Sequence, residues 1–266
     1  MKHPLCVERL CVGYGAVPIL HDIDLQIEAG QITALVGPNG CGKSTLLKAL
    51  ARILKPQSGR VILHGKPIAS YSSNEVARRI ALLPQGPIAP EGLTVAELVG
   101  QGRFPHQALF RQWTRQDAAA VDRAMRATNV IELADRPVHS LSGGQRQRCW
   151  LAMALAQDAP LMLLDEPTTF LDLKVQIDLM VLLSRIVREE ERTMVLVLHE
   201  LNLAASFADK VVMMKEGQVQ AQGSSQEVFR PEMLRSVFDL SADVIADPVT
   251  GRPVCLPRAQ DDVAAT

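Results

Sequence analysis

Cysteine is scarce in this chain and aromatic residues are few, and it has almost no net charge and no long apolar run. Each shortage narrows what the protein can be. The five cysteines, at 6, 11, 41, 149 and 255, include no C-x-x-C pair and are odd in number. That fits a reducing compartment with scattered buried thiols better than a disulfide framework or a zinc site. Lys and Arg number 28 against 29 Asp and Glu, a formal net charge of −1, so no overall field draws the chain to nucleic acid or to anionic lipid. No nucleic-acid partner is expected. The longest apolar stretches are several residues long, against the roughly 20 needed to cross a bilayer. The first residues, Met1-Lys2-His3-Pro4-Leu5-Cys6, lack the charged segment, apolar run and cleavage site of an export signal, so none is expected. Any membrane role is expected to come through a partner. What the chain does have is apolar content, 47% of 266 residues, enough for one large domain or a domain with an inserted lobe.

The most informative stretch is Gly37-Pro38-Asn39-Gly40-Cys41-Gly42-Lys43-Ser44-Thr45, which fits G-x-x-x-x-G-K-[ST]. Chance produces this pattern in under about 1 chain in 100 of this length. Its setting is right as well. Ile32 to Val36 is a short β-branched strand candidate before it, and residues 45–54 after it have helical spacing and good helix formers. Gly37, Gly40 and Gly42 would let successive backbone N–H groups approach phosphate oxygens, with the positive end of the following helix behind them. Lys43 would reach the β- and γ-phosphates of a triphosphate, and Ser44 would ligate Mg²⁺. Cys41 fills a free position of the pattern and reads as a small residue that fits rather than a redox sensor.

Leu5 to Val12 and Ile19 to Ile27, separated by Gly13-Tyr14-Gly15, read as an antiparallel strand pair. Tyr14 on this turn could stack on an adenine or merely close the hairpin, and the residues alone favour neither. Strands follow at 59–65 and at 80–85, the second stopped by Pro84. The segment from Gly86 to about His139 is rich in Ala, Gln and Arg, with helical spacing at Val95, Leu98 and Val99 and again at Val121, Met125, Thr128, Ile131 and Leu133. It reads as an inserted helical lobe. Phe104, Phe110 and Trp113 gather in it, as the packing of a small lobe or as a docking surface, with packing preferred.

Leu141-Ser142-Gly143-Gly144-Gln145 then opens a second helix, where a second anion site is physically available, although serine as an N-cap is common. Leu161 to Leu164 is a continuous apolar strand ending in Asp165-Glu166-Pro167. One carboxylate at a strand end can hold Mg²⁺ and the next can polarise a water. A helix over 175–191 places Leu179, Leu182, Leu183, Ile186 and Val187 on one face. A strand over 194–198 delivers His199, either a structural histidine or one that reaches a γ-phosphate. From Ser224 the tail is expected to be partly helical, then proline-rich and peripheral.

Together these pieces resemble the ATP-binding subunits of ABC transporters over essentially the whole chain. The phosphate loop, Gln85, Leu141 to Gln145, Leu161 to Glu166, Leu171-Asp172 and His199 stand in the family's order. Leu83-Pro84-Gln85, Gly102-Arg103-Phe104-Pro105-His106, Asp165-Glu166-Pro167-Thr168-Thr169, Leu198-His199-Glu200-Leu201-Asn202 and Gly251-Arg252-Pro253 look most like bacterial ferric-siderophore importers, whose ATPases usually carry Asp where Glu200 stands.

The resemblance implies an α/β fold, a P-loop NTPase core with a mixed sheet, an N-terminal antiparallel β subdomain and an inserted helical subdomain. Its expected divisions are 1–85 with the phosphate loop, 86–140 helical, 141–223 with the signature loop, and a tail over 224–266. It implies ATP and Mg²⁺ as cofactors and a homodimer in which each ATP meets the phosphate loop of one subunit and Ser142, Gly143 and Gly144 of the other. Tyr14 would stack on adenine, and Gly37 to Thr45 would hold phosphates. Ser44, Gln85 and Asp165 would serve Mg²⁺, Glu166 would be the general base, His199 would contact the γ-phosphate, and Asp172 would communicate across the dimer. The expected partners are integral membrane permease subunits and, indirectly, a substrate-binding protein. The expected location is the cytoplasmic face of the bacterial inner membrane, peripheral through the permease. Importers of haem or cobalamin are the neighbouring alternative.

Overall fold

β-branched and apolar residues at alternating positions make the first elements, and the pairing follows that alternation. In this computed structural model, which describes residues 2–15, 17–107 and 113–258, the chain divides into two compact units. One is Met1–Ile68 with Val195–Thr266, and the other is Ala69–Met194.

The first unit opens with β1 (Leu5–Tyr14) and β2 (Val17–Ile27), an antiparallel pair running from Leu5 opposite Ile27 to Tyr14 opposite Val17. After β3 (Ile32–Val36) and α1 (Lys43–Leu50), β4 (Ser58–Leu63) pairs with the other edge of β1, and β5 (Lys66–Pro67) completes an antiparallel sheet in the order β2-β1-β4-β5. Leu5, Val7, Leu10 and Val12 point inward from β1 and are buried.

The second unit holds α2 (Ser73–Ala77), β6 (Ile80–Leu83), α3 (Val95–Gln101), α4 (Arg115–Ala127), α5 (Gly143–Ala156), β7 (Leu161–Asp165) and α6 (Leu173–Glu189). β6 and β7 run parallel, Ile80 opposite Leu161 through Leu83 opposite Leu164. β7 is buried along its whole length, as a central parallel strand requires. α6 buries the face the spacing indicated, Leu179, Leu182, Leu183, Ile186 and Val187, and leaves Glu189 to Glu191 in water.

β8 (Thr193–Val197) leads back to the first unit, which continues with α7 (Leu201–Phe207), β9 (Lys210–Lys215), β10 (Gln218–Gly223), α8 (Ser225–Val228), α9 (Pro231–Phe238), β11 (Ala242–Ala246) and β12 (Pro253–Pro257). β3 pairs parallel with β9, and β9 turns back antiparallel into β10, so the sheet is mixed. The tail is not peripheral. Leu234 and Val237 of α9 are fully buried, and β11 and β12 form an antiparallel hairpin whose Cys255 is buried. Strands bounded by Pro248, Pro253 and Pro257 carry no alternation that would announce them.

The helical part of the second unit is locked by one ion pair. Arg103, just past α3, is buried; its Nε donates to Asp117 Oδ1 at 3.0 Å and its Nη1 to the Ala156 carbonyl at 2.8 Å. Asp117 also closes the capping box of α4, its Oδ2 accepting from the Thr114 hydroxyl at 2.6 Å and the Thr114 N–H at 3.0 Å. Those bonds from Thr114, with the Arg103 guanidinium beside it, hold the Asp117 carboxyl down to about 2.

The aromatic residues of this lobe do not pack as expected. Phe104 is exposed and Trp113, whose ring edge lies against Gly100, is half exposed. Phe110 lies outside the described residues. Among the described residues no helix is long and apolar enough to cross a membrane.

Asp117→Asn is expected to destabilise the protein by about 1.5–3 kcal/mol at neutral pH, the worth of hydrogen bonds to a charged group. Because the folded carboxyl titrates below the unfolded one, this stabilisation is present above the unfolded value and lost as pH falls toward the folded one. Urea midpoints of wild type and variant should therefore differ in full at about pH 5 and by roughly half as much at about pH 3.

Candidate functional site

The first unit supplies the phosphate loop. β3 is anchored at its start by the Asp209 carboxylate, which accepts from the Ile32 N–H at 2.8 Å, and it ends at Val36 directly before Gly37. Gly37 lies so close to β9 that a Cβ there would run into the Met214 carbonyl oxygen and sit 2.7 Å from the Cys41 sulfur. Gly42, the N-cap of α1, has φ +104, in the left-handed region that glycine adopts without strain. The loop is closed from outside by the Gly217 N–H, which donates to the Cys41 carbonyl at 3.1 Å. α1 then begins at Lys43, so its first-turn N–H groups and positive dipole end face the loop.

Lys43 is buried and its ammonium arches over the loop, donating to the carbonyls of Gly37 at 2.8 Å and Pro38 at 2.9 Å. Thr45 and Cys41 are buried, Ser44 half-buried, and Asn39 and Gly40 exposed at the tip beside half-buried Pro38. Burial raises the Cys41 thiol above its usual range while Lys43 pulls the other way, which fits a packing residue. Cys149 and Cys255 are pushed up to about 11 by burial.

His199 sits at the same end of the sheet. Leu198 N–H donates to the Leu35 carbonyl at 3.1 Å, so the chain leaves β8 beside the point where it leaves β3, and His199 follows, exposed. Tyr14 ends β1, paired with Val17, and about half its surface is accessible. It closes the hairpin and also presents its ring, so the two readings of this residue are compatible.

The second unit supplies the carboxylates. Asp165 ends β7 and is buried. Glu166 follows with φ +53, a left-handed conformation that costs a non-glycine residue about 1–2 kcal/mol. Its Oε2 accepts from Gln85 Nε2 at 2.5 Å and from the Thr169 hydroxyl at 3.0 Å. The structure thus brings Gln85 and Glu166 together. Thr169 was missed as a site residue; its position three after Glu166 is the signal, since that spacing folds it back over the acid.

Ser142 caps α5, its hydroxyl accepting from the Gln145 N–H at 3.3 Å while Gln145 Oε1 accepts from the Ser142 N–H at 3.1 Å. Gly143 is open to solvent, whereas a Cβ at Gly144 would press Val175 of α6 at 2.8 Å. Asp172 caps α6 by accepting from the Val175 N–H at 3.0 Å. Ser142, Gly143, Gly144, Arg148, Phe170 and Asp172 line one groove of about 500 Å³. Phe170 stands almost fully in solvent. A larger cavity, about 580 Å³ between α9 and β11, holds no predicted site residue, and its Arg258 is already paired with Asp243 at 2.6 Å.

The oxygen donors of Ser44, Gln85 and Asp165 are the hard ligands Mg²⁺ takes, and the loop's N–H groups and Lys43 suit a polyphosphate, so the residues fit both groups. The strand–phosphate-loop–helix of the first unit defines a nucleotide-triphosphate-binding α/β protein, and the second unit carries a buried acidic strand end. The comparisons narrow the class. The ABC transporter family model matches residues 20–169. The iron(3+)-hydroxamate import ATP-binding protein FhuC of Bacillus subtilis (strain 168) is 48% identical over 252 residues, covering 95% of this chain and 94% of that protein. The ferric enterobactin transport ATP-binding protein FepC of Escherichia coli (strain K12) is 48% identical, covering 94% and 92%. A cobalamin import ATP-binding protein, BtuD of Halobacterium salinarum (strain ATCC 29341 / DSM 671 / R1), is 41% identical, covering 98% of this chain and 65% of that protein. A structure assigned to an inward-facing metal-chelate type ABC transporter superposes with a TM-score of 0.86 at 29% identity, covering 98% and 99%. The chain belongs to the ABC transporter family of ATP-binding proteins.

Gly37→Ala should weaken ATP binding at least about tenfold, because overpacking against the rigid Met214 carbonyl costs roughly 1–3 kcal/mol and the loop must shift to relieve it. Equilibrium binding of a fluorescent ATP analogue, beside an unchanged circular dichroism spectrum, checks this.

Proposed function

We propose that this chain is the ATP-hydrolysing motor of an importer for ferric siderophores. The observation that carries the chemistry is the Glu166 carboxylate, held in a strained left-handed turn beside Asp165 and oriented by Gln85 and Thr169. The cargo reading is supported by the near-full-length similarity to importer subunits for ferric hydroxamates and enterobactin, which exceeds that to the cobalamin protein.

In this reading the N–H groups of Gly37 to Thr45 and the Lys43 ammonium bind the phosphates, Tyr14 stacks on adenine, and Glu166 takes the proton of the attacking water as general base. Gln85 and Thr169 hold that carboxylate in place, and His199 bonds the γ-phosphate. Ser44, Gln85 and Asp165 would hold Mg²⁺, which would supply charge neutralisation for the polyphosphate. Two copies act as a homodimer, with Ser142, Gly143 and Gly144 of each completing the other's site and Asp172 relaying between them. The helical lobe meets integral permease subunits at the cytoplasmic face of the bacterial inner membrane, and an external binding protein delivers cargo. Haem or cobalamin import is the second reading, favoured only by the cobalamin relative.

Glu166→Gln should keep ATP affinity and lose roughly 10²–10⁴-fold in turnover, the usual worth of a general base; near-normal turnover would remove Glu166 from that role. For the cargo, iron accumulation from a panel of ferric siderophores, with haem and cobalamin uptake alongside, should be compared in source cells carrying wild type or Lys43→Ala. Loss of uptake from one siderophore is expected. Intact iron uptake with failing haem or cobalamin uptake would transfer the motor to the second reading.

A further inference from the structure

Gly251-Arg252-Pro253 has no task in the function proposed above. These residues close the loop between β11 and β12, and that loop is built to aim one side chain. Asp247 Oδ1 accepts from the N–H groups of Val249 at 2.9 Å and Thr250 at 2.7 Å and from the Thr250 hydroxyl at 3.0 Å. The Asp247 N–H donates to the Arg252 carbonyl, and the Gly251 N–H to the Asp247 carbonyl, both at 2.8 Å. The loop is a tied turn rather than a loose end.

From this turn Arg252 Nη1 donates to the carbonyls of Ala205 at 3.2 Å and Ala208 at 2.9 Å. These lie at the C-terminal end of α7, where carbonyls lack acceptance partners within the helix and a cation meets the negative end of the dipole. In the first turn of α7, Asn202 does the complementary work. Its Nδ2 donates to the Cys255 carbonyl at 3.2 Å and its Oδ1 accepts from the Cys255 N–H at 2.8 Å, so an amide side chain takes the place of a strand partner for β12.

One hairpin therefore grips α7 at both ends. A seven-residue helix is too short to hold itself together, so its placement depends on such contacts. α7 begins two residues after His199, and on the other side of His199 the backbone is pinned by the Leu198 to Leu35 bond. The histidine stands between a sheet hydrogen bond and a clamped helix.

We propose that the β11–β12 hairpin, through Arg252 and Asn202, is a positioning clamp that sets His199 for its work on the γ-phosphate. The inference rests on the role given to His199 above. Arg252 and Asn202 touch no nucleotide in this scheme and act through the helix. Loss of the clamp leaves ATP bound by the phosphate loop and slows its hydrolysis, because a small misplacement of a reacting group is costly in rate.

The test is steady-state ATP hydrolysis by the full-length chain at saturating Mg-ATP, with Arg252→Ala, Arg252→Lys and Asn202→Ala each made in wild-type and His199→Ala backgrounds. Arg252→Ala and Asn202→Ala should each lower kcat by roughly 10- to 100-fold with KM for ATP within about twofold, and Arg252→Lys, which keeps a donor, should recover most of the loss. In the His199→Ala background neither should lower kcat further, as expected of residues that act through one another. Equal losses in both backgrounds, an unchanged kcat, or a raised KM would overturn the clamp. A His199→Ala chain that turns over at the wild-type rate removes the role of His199 itself and the clamp with it, whereas a slow His199→Ala chain with additive hairpin losses sinks the clamp alone. Should Arg252→Ala fail to fold, Asn202→Ala, which leaves the arginine in place, carries the same comparison.

Discussion

Close approach of backbone to backbone at Gly37 is the constraint on which the nucleotide-binding end of the first unit depends. β3 must end, turn and restart as α1 within six intervening residues, and it does so directly against β9, where a Cβ would meet the Met214 carbonyl. Nothing larger than hydrogen can stand there. The consequence is a concave run of N–H groups at a helix N-terminus, which attracts anions irrespective of the side chains around it. Lys43 adds a positive charge to that concavity. Bonded to the Gly37 and Pro38 carbonyls, its ammonium is already gathered over the loop, so meeting a phosphate exchanges one set of acceptors for another rather than ordering a long free side chain.

A second principle organises the carboxylates. Asp165 belongs to a strand buried along its length, so its position is set by the sheet. Glu166 is one residue beyond that support and is placed by strain instead: a left-handed φ, with Gln85 and Thr169 donating to its carboxylate. These bonds restrict the rotamer of the carboxylate. Neighbouring acids are thus placed differently, Asp165 by its strand and Glu166 by a left-handed turn with two side-chain donors.

What was legible in the sequence tracks how local the cause is. The phosphate loop, the buried run Leu161 to Leu164 and the apolar face of α6 are patterns within a few residues, and each stands where the pattern put it. The left-handed turn at Glu166 was not legible, because no glycine marks it. The tail hairpin was not either, since it is held by Asn202 bonding Cys255 and Arg252 bonding Ala205, partners about fifty residues apart that no window can see. Tyr14 shows the intermediate case: the turn was readable, while the ring's exposure depends on how the rest of the unit leaves it uncovered.

Within the helical lobe, the segment Arg103 to His106 inverts the usual division of polar and apolar residues. Arg103 and His106, which by type belong in water, are bonded inward to the Ala156 and Gln157 carbonyls at the end of α5, and Phe104 between them stands outside. Burying a guanidinium is costly unless it is fully paired, and Asp117 with the Ala156 carbonyl provides that pairing. Anchoring the segment through its charged residues leaves Phe104 exposed. The segment is thus held by polar bonds to the carbonyls that end α5, and the apolar side chain between those anchors contributes surface rather than packing.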